Sequence, residues 1–180
     1  MATKRSKWAL FINTTPKTET ATYALIGIGV TELSKSFNPQ TNTEQYINQD
    51  SSTTNITGYQ PSYAVTAQHD TENEALQYMD SVRRKLPTYD DAVTDLVEVE
   101  MWGSDESGKY PAIQQKVAQQ VDTFGGAAAD PLGLDFTFSA QGDQVSGKFD
   151  PKTRTFTADS AAAPANAPMS NPVYDTDVEV

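Results

Sequence analysis

Residues 132–140 read LGLDFTFSA, and apolar and polar side chains alternate through the stretch. A period of two residues predicts a β-strand with one face on a core and the other face away from it. The side chains predicted to face the core are Leu132, Leu134, Phe136 and Phe138, and those predicted to face away are Gly133, Asp135, Thr137 and Ser139. The stretch therefore indicates a fold built on a half-buried sheet.

A β-hairpin is predicted directly after this strand, at residues 144–157. Its turn reads Asp150-Pro151-Lys152-Thr153, and Asp at the first position with Pro at the second suits a type I turn. The two arms of the hairpin would add further strands to the same sheet.

Residues 110–124 fit two different elements. Ile113, Val117 and Val121 recur every four residues, which favours a helix. The same three residues also share the parity of a strand, with Gln115 and Gln119 between them. The residues alone leave both alternatives open.

The remaining predicted elements are several strands and one clear helix. The strands are predicted at residues 8–12, 23–35, 59–69 and 93–103. The helix is predicted at residues 72–86, where apolar residues recur at helical spacing, with Asp70 or Thr71 as its cap and Pro87 as its end.

A long polar stretch at residues 38–58 reads NPQTNTEQYINQDSSTTNITG. With so few aliphatic residues it cannot bury enough apolar surface to offset the entropy of ordering. Loops of this length inside a compact domain are usually functional or disordered. We predict a loop that becomes ordered against a neighbouring chain.

Together these elements predict a mainly β fold: a β-sandwich or partly closed barrel with one flanking α-helix, a long inter-strand loop and extended terminal arms. An N-terminal arm is predicted at residues 1–22 and a β domain at residues 23–157. Residues 158–180 are rich in Ala and Pro, which predicts a C-terminal arm.

Composition excludes several classes of function. The 180 residues include 24 acidic and 13 basic side chains, for a formal net charge of −11, which argues against tight binding to a phosphate backbone. The chain has no cysteine, so it has neither disulfides nor thiolate metal sites. No apolar run approaches the roughly 20 residues that a membrane span requires.

Few residues suggest catalysis. Glu98 and Glu100 share one face of a predicted strand at roughly 7 Å, a pairing that glycan-cleaving enzymes use. A carbohydrate-binding β-sandwich is the other alternative. His69 is the only histidine, and the acidic pairs at residues 90–91 and 105–106 lack the spacing of a calcium-binding loop. We predict no catalytic residue, no metal site and no cofactor.

A series of motifs carries a family resemblance. They are NPQT, TEQYI, DSSTT and TGYQPS, followed by DSVRRK, QQVDTFGG and GKFDPKTRTFT. In this order, over residues 24–157, they resemble the major tail tube protein of long-tailed (siphovirus-type) bacteriophages. The resemblance implies a structural protein whose six copies form a ring, with rings stacked into a hollow tube that conducts DNA. It also implies a strand at residues 110–124.

The resemblance further implies partners and a location, and the residue patterns add the residues expected at contacts. The partners are other copies of the chain, tape-measure and tail-end proteins, and DNA that passes without tight binding; the place is the virion tail, assembled in the host cytoplasm. The residues expected at contacts between subunits or rings are Asn38, Pro39, Gln45, Tyr46, Asp50, Gly58, Tyr59, Arg83 and Arg84. The acidic residues expected to face the lumen are Glu98, Glu100, Asp122 and Asp135.

Overall fold

A computed structural model describes residues 2–103 and 107–159. The strands are β1 (Trp8–Asn13), β2 (Tyr23–Ile26), β3 (Val30–Ser36), β4 (Pro39–Glu44), β5 (Thr53–Tyr59), β6 (Ser62–Gln68), β7 (Val93–Glu100), β8 (Tyr110–Gly125), β9 (Gly133–Asp150) and β10 (Thr155–Ala158). The α-helix α1 spans Glu74–Lys85, and short 3-10 turns lie at Arg5–Lys7 and Tyr89–Ala92. The described part of the chain is therefore mainly β with one α-helix, as predicted.

The main sheet curls until its edges nearly meet. Its strands follow the order β2-β1-β7-β8-β9-β6-β3, and β10 pairs with β9. β2 and β3 are the ends of that order, yet residues 27–29 join them directly. Four Cα–Cα steps span at most roughly 15 Å, so a flat sheet cannot make this connection. The prediction of a partly closed barrel is confirmed.

The single strand predicted at residues 23–35 is wrong, because the chain turns between β2 and β3. Gly29 has a φ of 85°, a left-handed conformation that glycine adopts without steric cost. The Val30 N–H donates to the Gly27 carbonyl at 3.0 Å. The turn sends the chain from one edge of the sheet to the other.

The main core lies inside the curl, where α1 packs against the sheet. Leu76 and Met79 of α1 are fully buried there, together with Phe136 and Phe138 of β9. The Asn73 side chain caps α1 by accepting from the N–H groups of residues 75 and 76. The predicted cap at Asp70 or Thr71 is wrong, since Asn73 supplies the oxygen that these donors require.

A second apolar cluster lies on the other side of β1 and β7. Phe149, near the end of β9, packs its ring 4.5 Å from that of Phe11 and 5.9 Å from that of Tyr23, measured between centroids. Val97 and Val99 of β7 join them and are fully buried. Since both faces of β7 are covered, this strand lies at the centre of the fold.

Strands form where they were predicted in the second half of the chain, but the segments predicted separately at residues 132–140 and from residue 144 are one continuous strand, β9. Residues 110–124 are a strand, β8, and the chain turns after β9 where the hairpin turn was predicted, with the Asp150 carboxylate accepting from the N–H groups of Lys152 and Thr153. Leu132 lies outside β9, which begins one residue later, and it is 45% exposed. Its predicted place on the core face is therefore wrong.

The predicted terminal arms have different outcomes. The strand predicted at residues 8–12 is confirmed as β1, which pairs with β2 on one side and β7 on the other. The N-terminal arm predicted for residues 1–22 is therefore wrong beyond Lys7, because β1 supplies buried core residues. The C-terminal arm lies outside the described residues from 160 onward.

The predicted loop at residues 38–58 is a β-hairpin instead. β4 and β5 pair antiparallel from Pro39↔Tyr59 to Glu44↔Thr53 and form a separate two-stranded sheet. Threonine is a good strand former, and pairing satisfies backbone groups without requiring apolar burial. The segment between the strands, residues 45–52, is the tip of this hairpin.

Candidate assembly surfaces

The β4–β5 hairpin is anchored at its base by Asn38. This residue has a φ of 44°, which turns the chain out of β3. Its side-chain amide donates to the Gln60 carbonyl at 3.0 Å and to the Ser62 hydroxyl at 3.1 Å. Asn38, predicted to contact another subunit, thus holds both ends of the hairpin within its own subunit.

Beyond its base, the hairpin is exposed on both faces. Every residue of β4 is exposed, and so is every residue of β5 except Gly58, which is half-buried. Ile47 at the tip is completely exposed, and Ile56 and Tyr59 are each 59% exposed. A two-stranded hairpin is marginally stable at best on its own. The surface that would stabilise it is not provided by the described part of this chain.

Local hydrogen bonds shape the hairpin tip. The Tyr46 hydroxyl donates to the Glu44 carboxylate at 2.9 Å, and the Gln45 amide donates to the Gln49 carbonyl at 3.2 Å. The other predicted contact residues of this region lie on the same hairpin and are exposed or half-buried: Pro39, Asp50, Gly58 and Tyr59. The structure therefore gathers the predicted contact residues from 39 to 59 into one projecting element.

The predicted contact residues Arg83 and Arg84 lie at the end of α1, where both bind Asp80. An amino group of each guanidinium lies 2.7 Å from a different oxygen of that carboxylate. Arg83 also lies over the Phe124 ring at 3.9 Å from its centroid. The hydrogen bond from Arg83 holds the pKa of Asp80 below its usual range.

These contacts separate the roles of the two arginines. The Arg83 side chain is held on two sides within its own subunit, so the structure does not present it as a free contact group. The Arg84 side chain is 70% exposed and keeps donors available for a neighbour.

A polar face covers the outer side of β3, β6, β9 and β8, opposite α1. Cross-strand partners share a face of a sheet, and the register pairs Glu32 with Thr66 and Thr66 with Asp135. Thr137, also on β9, donates to the carboxylate of Asp122 on the next strand, β8, at 2.6 Å. We call the surface formed by these five residues the polar sheet face.

The carboxylates of the polar sheet face are held by neutral donors. Thr123 donates to Asp135 at 2.7 Å, and the Gln120 amide donates to Asp122 at 2.8 Å. Hydroxyl and amide donors fix a carboxylate in place without cancelling its charge. The predicted lumen residues Asp122 and Asp135 therefore share one face, and Glu32, which the sequence reasoning missed, lies on it too.

Glu98 is not on this face, and its predicted exposure to a lumen is wrong. It is 6% exposed inside the curl. Its carboxylate accepts two bonds from the Lys35 ammonium, at 3.0 and 3.1 Å, and one from the Tyr63 hydroxyl at 3.2 Å. Burial, and then the Glu98 charge, raise the pKa of Tyr63, so its hydroxyl remains a donor.

Glu100 lies at the end of β7, half-buried and opposite Trp8 in the register. It shares the parity of Glu98 but lies beyond the buried ion pair. Because Lys35 and Tyr63 bind Glu98, the two glutamates do not form a pair of free carboxylates. The geometry for glycan cleavage is therefore absent from these residues.

The described residues offer little support for a metal site or for a membrane-spanning helix. No group of three potential metal-ligating side chains occurs among residues 2–103 and 107–159. The acidic pair at residues 105–106 lies outside this part of the chain. Within the same part, no helix is long and apolar enough to cross a membrane.

One buried polar group is not explained by the subunit itself. Gln119 is 5% exposed, and its amide nitrogen donates to the Tyr78 hydroxyl at 3.0 Å. Its amide oxygen accepts no hydrogen bond from the residues that the structure describes. The sequence suggested only that Gln119 separates apolar positions, and nothing in the pattern indicated an unpaired acceptor.

Comparison with known proteins finds similarity in structure and none in sequence. No family model matches the sequence, and no curated protein matches it. A chain in the tail of an empty gene transfer agent particle, refined helically with C6 symmetry, superposes with a TM-score of 0.58 at 12% identity; the match covers 87% of this chain and 100% of that chain.

A chain from the virion of a native gene transfer agent particle superposes with a TM-score of 0.56 at 11% identity and the same coverage. The first of these structures is the tail of a particle, and the second is a whole virion. Both matches span the full length of the solved chains, so they concern the whole β domain and not one motif. This chain has the fold of a protein in the tail of a phage-like particle.

Proposed function

We propose that this chain is a structural subunit of the tail tube of a phage-like particle, of the siphovirus type that the motifs resemble. Six copies form a ring, and rings stack into a hollow tube. The observation that carries the proposal is the full-length structural match to a chain in a tail that was refined with C6 symmetry.

The hairpin supports this proposal independently of the match. Its residues are exposed, yet paired in a regular register over both strands. Such an element gains stability when a neighbouring copy covers it. Repetition around a ring provides that neighbour for every copy at once, with Arg84 as a further contact group.

The polar sheet face supports a role in conducting DNA. A conduit for a polyanion should not neutralise phosphates with Lys or Arg, since such contacts bind DNA tightly. Glu32, Asp122 and Asp135 give this face acidic character. We assign the polar sheet face to the bore, and Glu100, on the other side of the sheet, is not part of it.

The proposed setting follows from the resemblance. The subunit binds other copies of itself along the tube, and tape-measure and tail-end proteins at its interior and ends. Assembly takes place in the host cytoplasm and the product is the virion tail. DNA passes through the bore without tight binding.

Excision of the hairpin tests the proposal. Thr41 and Ile56 are partners in the register, so a two-glycine turn can replace the residues between them without moving either end. In sedimentation velocity experiments, we expect the full chain to form large assemblies as its concentration rises. The excised variant should stay a folded monomer with nearly the same unfolding midpoint, because the removed residues are exposed.

Two results would contradict the proposal. A full chain that remains monomeric at every concentration would argue against a self-assembling tube. Normal assemblies from the excised variant would remove the hairpin from the interface.

A further inference from the structure

A groove runs beside the C-terminal half of α1, between this helix, the turn after β1 and β8. It has a volume of about 440 Å³ and continues past Val82 and Pro87 into a smaller recess of about 230 Å³. We call it the helix groove. Its lining includes Tyr78, Val82, Lys85, Pro87, Asp91 and Gln119.

Gln119, whose amide oxygen is buried and unpaired among the described residues, is one of the residues that line this groove. A buried acceptor without a donor costs on the order of 1–3 kcal/mol. Most buried polar side-chain atoms in folded proteins have a partner. An occupant that supplies an N–H group would remove this cost, which distinguishes the helix groove from an ordinary surface depression.

The rim of the helix groove carries positive charge and apolar surface. Arg84 and Lys85 are exposed at the end of α1. Leu86, the next residue, is 72% exposed and has a φ of 47°. A left-handed conformation is costly for leucine, and within the described chain the exposed side chain gains little burial in return. The rim therefore suits an acidic partner with an apolar anchor.

The hairpin tip has the complementary chemistry. Ile47 is completely exposed and is followed by Asn48 and Gln49, which carry amide donors. Residues 38–61 contain the acidic residues Glu44 and Asp50 and no basic residue. The hairpin thus brings an apolar side chain, amide donors and negative charge together at one end.

We propose that the hairpin tip of one copy docks in the helix groove of a second copy. Ile47 covers the apolar floor at Val82 and Pro87, an amide N–H of the tip pairs with the Gln119 oxygen, and the acidic residues approach Arg84 and Lys85. The occupant belongs to a second copy because no residue of the hairpin lines the groove of its own chain. This inference rests on the proposed function and specifies one contact within it.

The absence of cysteine from the chain allows a clean crosslinking test. One batch of protein carries Ile47→Cys and a second carries Thr88→Cys, at an exposed residue lining the smaller recess. Particles assembled from an equal mixture are treated with a short thiol-to-thiol crosslinker. The control mixture pairs Thr88→Cys with Thr57→Cys, which is also exposed but lies near the base of the hairpin.

We expect a covalent dimer in the first mixture and only background in the control mixture. Assemblies of Ile47→Cys protein alone should also give only background, because a dimer that forms there would join two hairpin tips instead of a tip and a groove. Particles that form normally but give no more dimer than the control would overturn the proposed contact and leave the tube function intact. Failure of the unsubstituted chain to assemble would contradict the function itself.

A charge exchange provides a second measurement if the cysteine variants do not assemble. Arg84→Glu with Lys85→Glu should greatly reduce assembly, because the hairpin tip would then meet like charge. Adding Glu44→Lys and Asp50→Lys in the same chain should restore it. Assembly that is unaffected by the first pair, or not restored by the second, would overturn the proposed contact.

Discussion

The ion pair between Lys35 and Glu98 is the most deeply buried charge contact described in the chain. Each side chain is 8% exposed. The pair joins β3, at one end of the strand order, to β7 in the middle. A buried charge that loses its partner still carries the cost of its desolvation. Replacing one member of the pair should therefore destabilise the fold more than replacing both.

We expect Lys35→Met to lower the free energy of unfolding by about 3–5 kcal/mol. The double variant Lys35→Met with Glu98→Leu should recover a large part of this loss, because no unpaired carboxylate then remains. Urea unfolding of the three proteins measures both effects. Equal losses in the single and double variants would mean that the pair is not a buried couple.

Asp80 makes the stability of the fold depend on pH. Its pKa is lowered, first by the hydrogen bond from Arg83. A carboxyl whose folded pKa is depressed stabilises the fold above its unfolded pKa, and this contribution disappears as pH falls through the folded pKa. We expect Asp80→Asn to be less stable than the unsubstituted protein at pH 7, with a difference that shrinks below about pH 4. A difference that stays constant down to pH 2 would contradict this account.

At the residue scale, the alternation of apolar and polar residues predicted the environment of a side chain correctly where its sequence neighbours determine that environment. The alternation around Asp135 predicted its polar face correctly, because strand parity is a local property. The same parity placed Glu98 with Glu100 and missed the burial of Glu98. Its partner Lys35 is 63 positions away in the sequence, and no local pattern reports such a contact.

Among the elements, the turn between β2 and β3 leaves little room for a side chain. A Cβ atom at Gly29 would lie 3.0 Å from a methyl carbon of Leu76 and 3.2 Å from the Gln68 carbonyl oxygen. With the left-handed φ added, we expect Gly29→Ala to cost about 1–3 kcal/mol. The matched control is Gly58→Ala, where a Cβ would meet nothing within 4 Å.

Thermal or urea unfolding of both glycine variants measures this difference. Gly58→Ala should change stability by less than about 0.5 kcal/mol. Equal effects at the two positions would mean that the β2–β3 turn is not held against α1.

Element types were easier to predict than element partners. The helical spacing of apolar residues located α1. Strand parity, taken together with the family resemblance, identified β8 as a strand. The hairpin at residues 38–58 was predicted as a loop because it offers little apolar burial, but apolar burial alone does not decide whether a polar segment forms strands. Backbone pairing and the strand preference of threonine stabilise β4 and β5 locally.

For the whole molecule, charge on the polar sheet face should govern passage of DNA. We expect Asp122→Lys with Asp135→Lys to leave assembly intact and to slow DNA release from particles, because new cations would bind phosphates. The delay should be larger at low salt, where screening is weak. A matched control, Glu19→Lys with Asp130→Lys, changes exposed residues in loops, outside the strands that carry the polar sheet face.

Release kinetics from particles that carry each variant, followed at several salt concentrations, measure this effect. Unchanged release at every concentration would remove Asp122 and Asp135 from the bore. An equal delay in the control would indicate that net charge matters and not position.

Closure of the sheet could not be predicted in detail from the sequence. A mainly β fold with one helix follows from the periodicities, but the joining of both edges by residues 27–29 depends on strand order. That order is set by pairings between distant segments, such as β1 with β7, and periodicity carries no information about them.

Cryo-electron microscopy of the concentrated full chain tests the central claim most directly. We predict hollow tubes of stacked rings, each with six subunits, in which Glu32, Asp122 and Asp135 line the bore and the hairpin contacts a neighbouring copy. A protein that remains monomeric at high concentration, or tubes with the polar sheet face on the outside, would contradict the account.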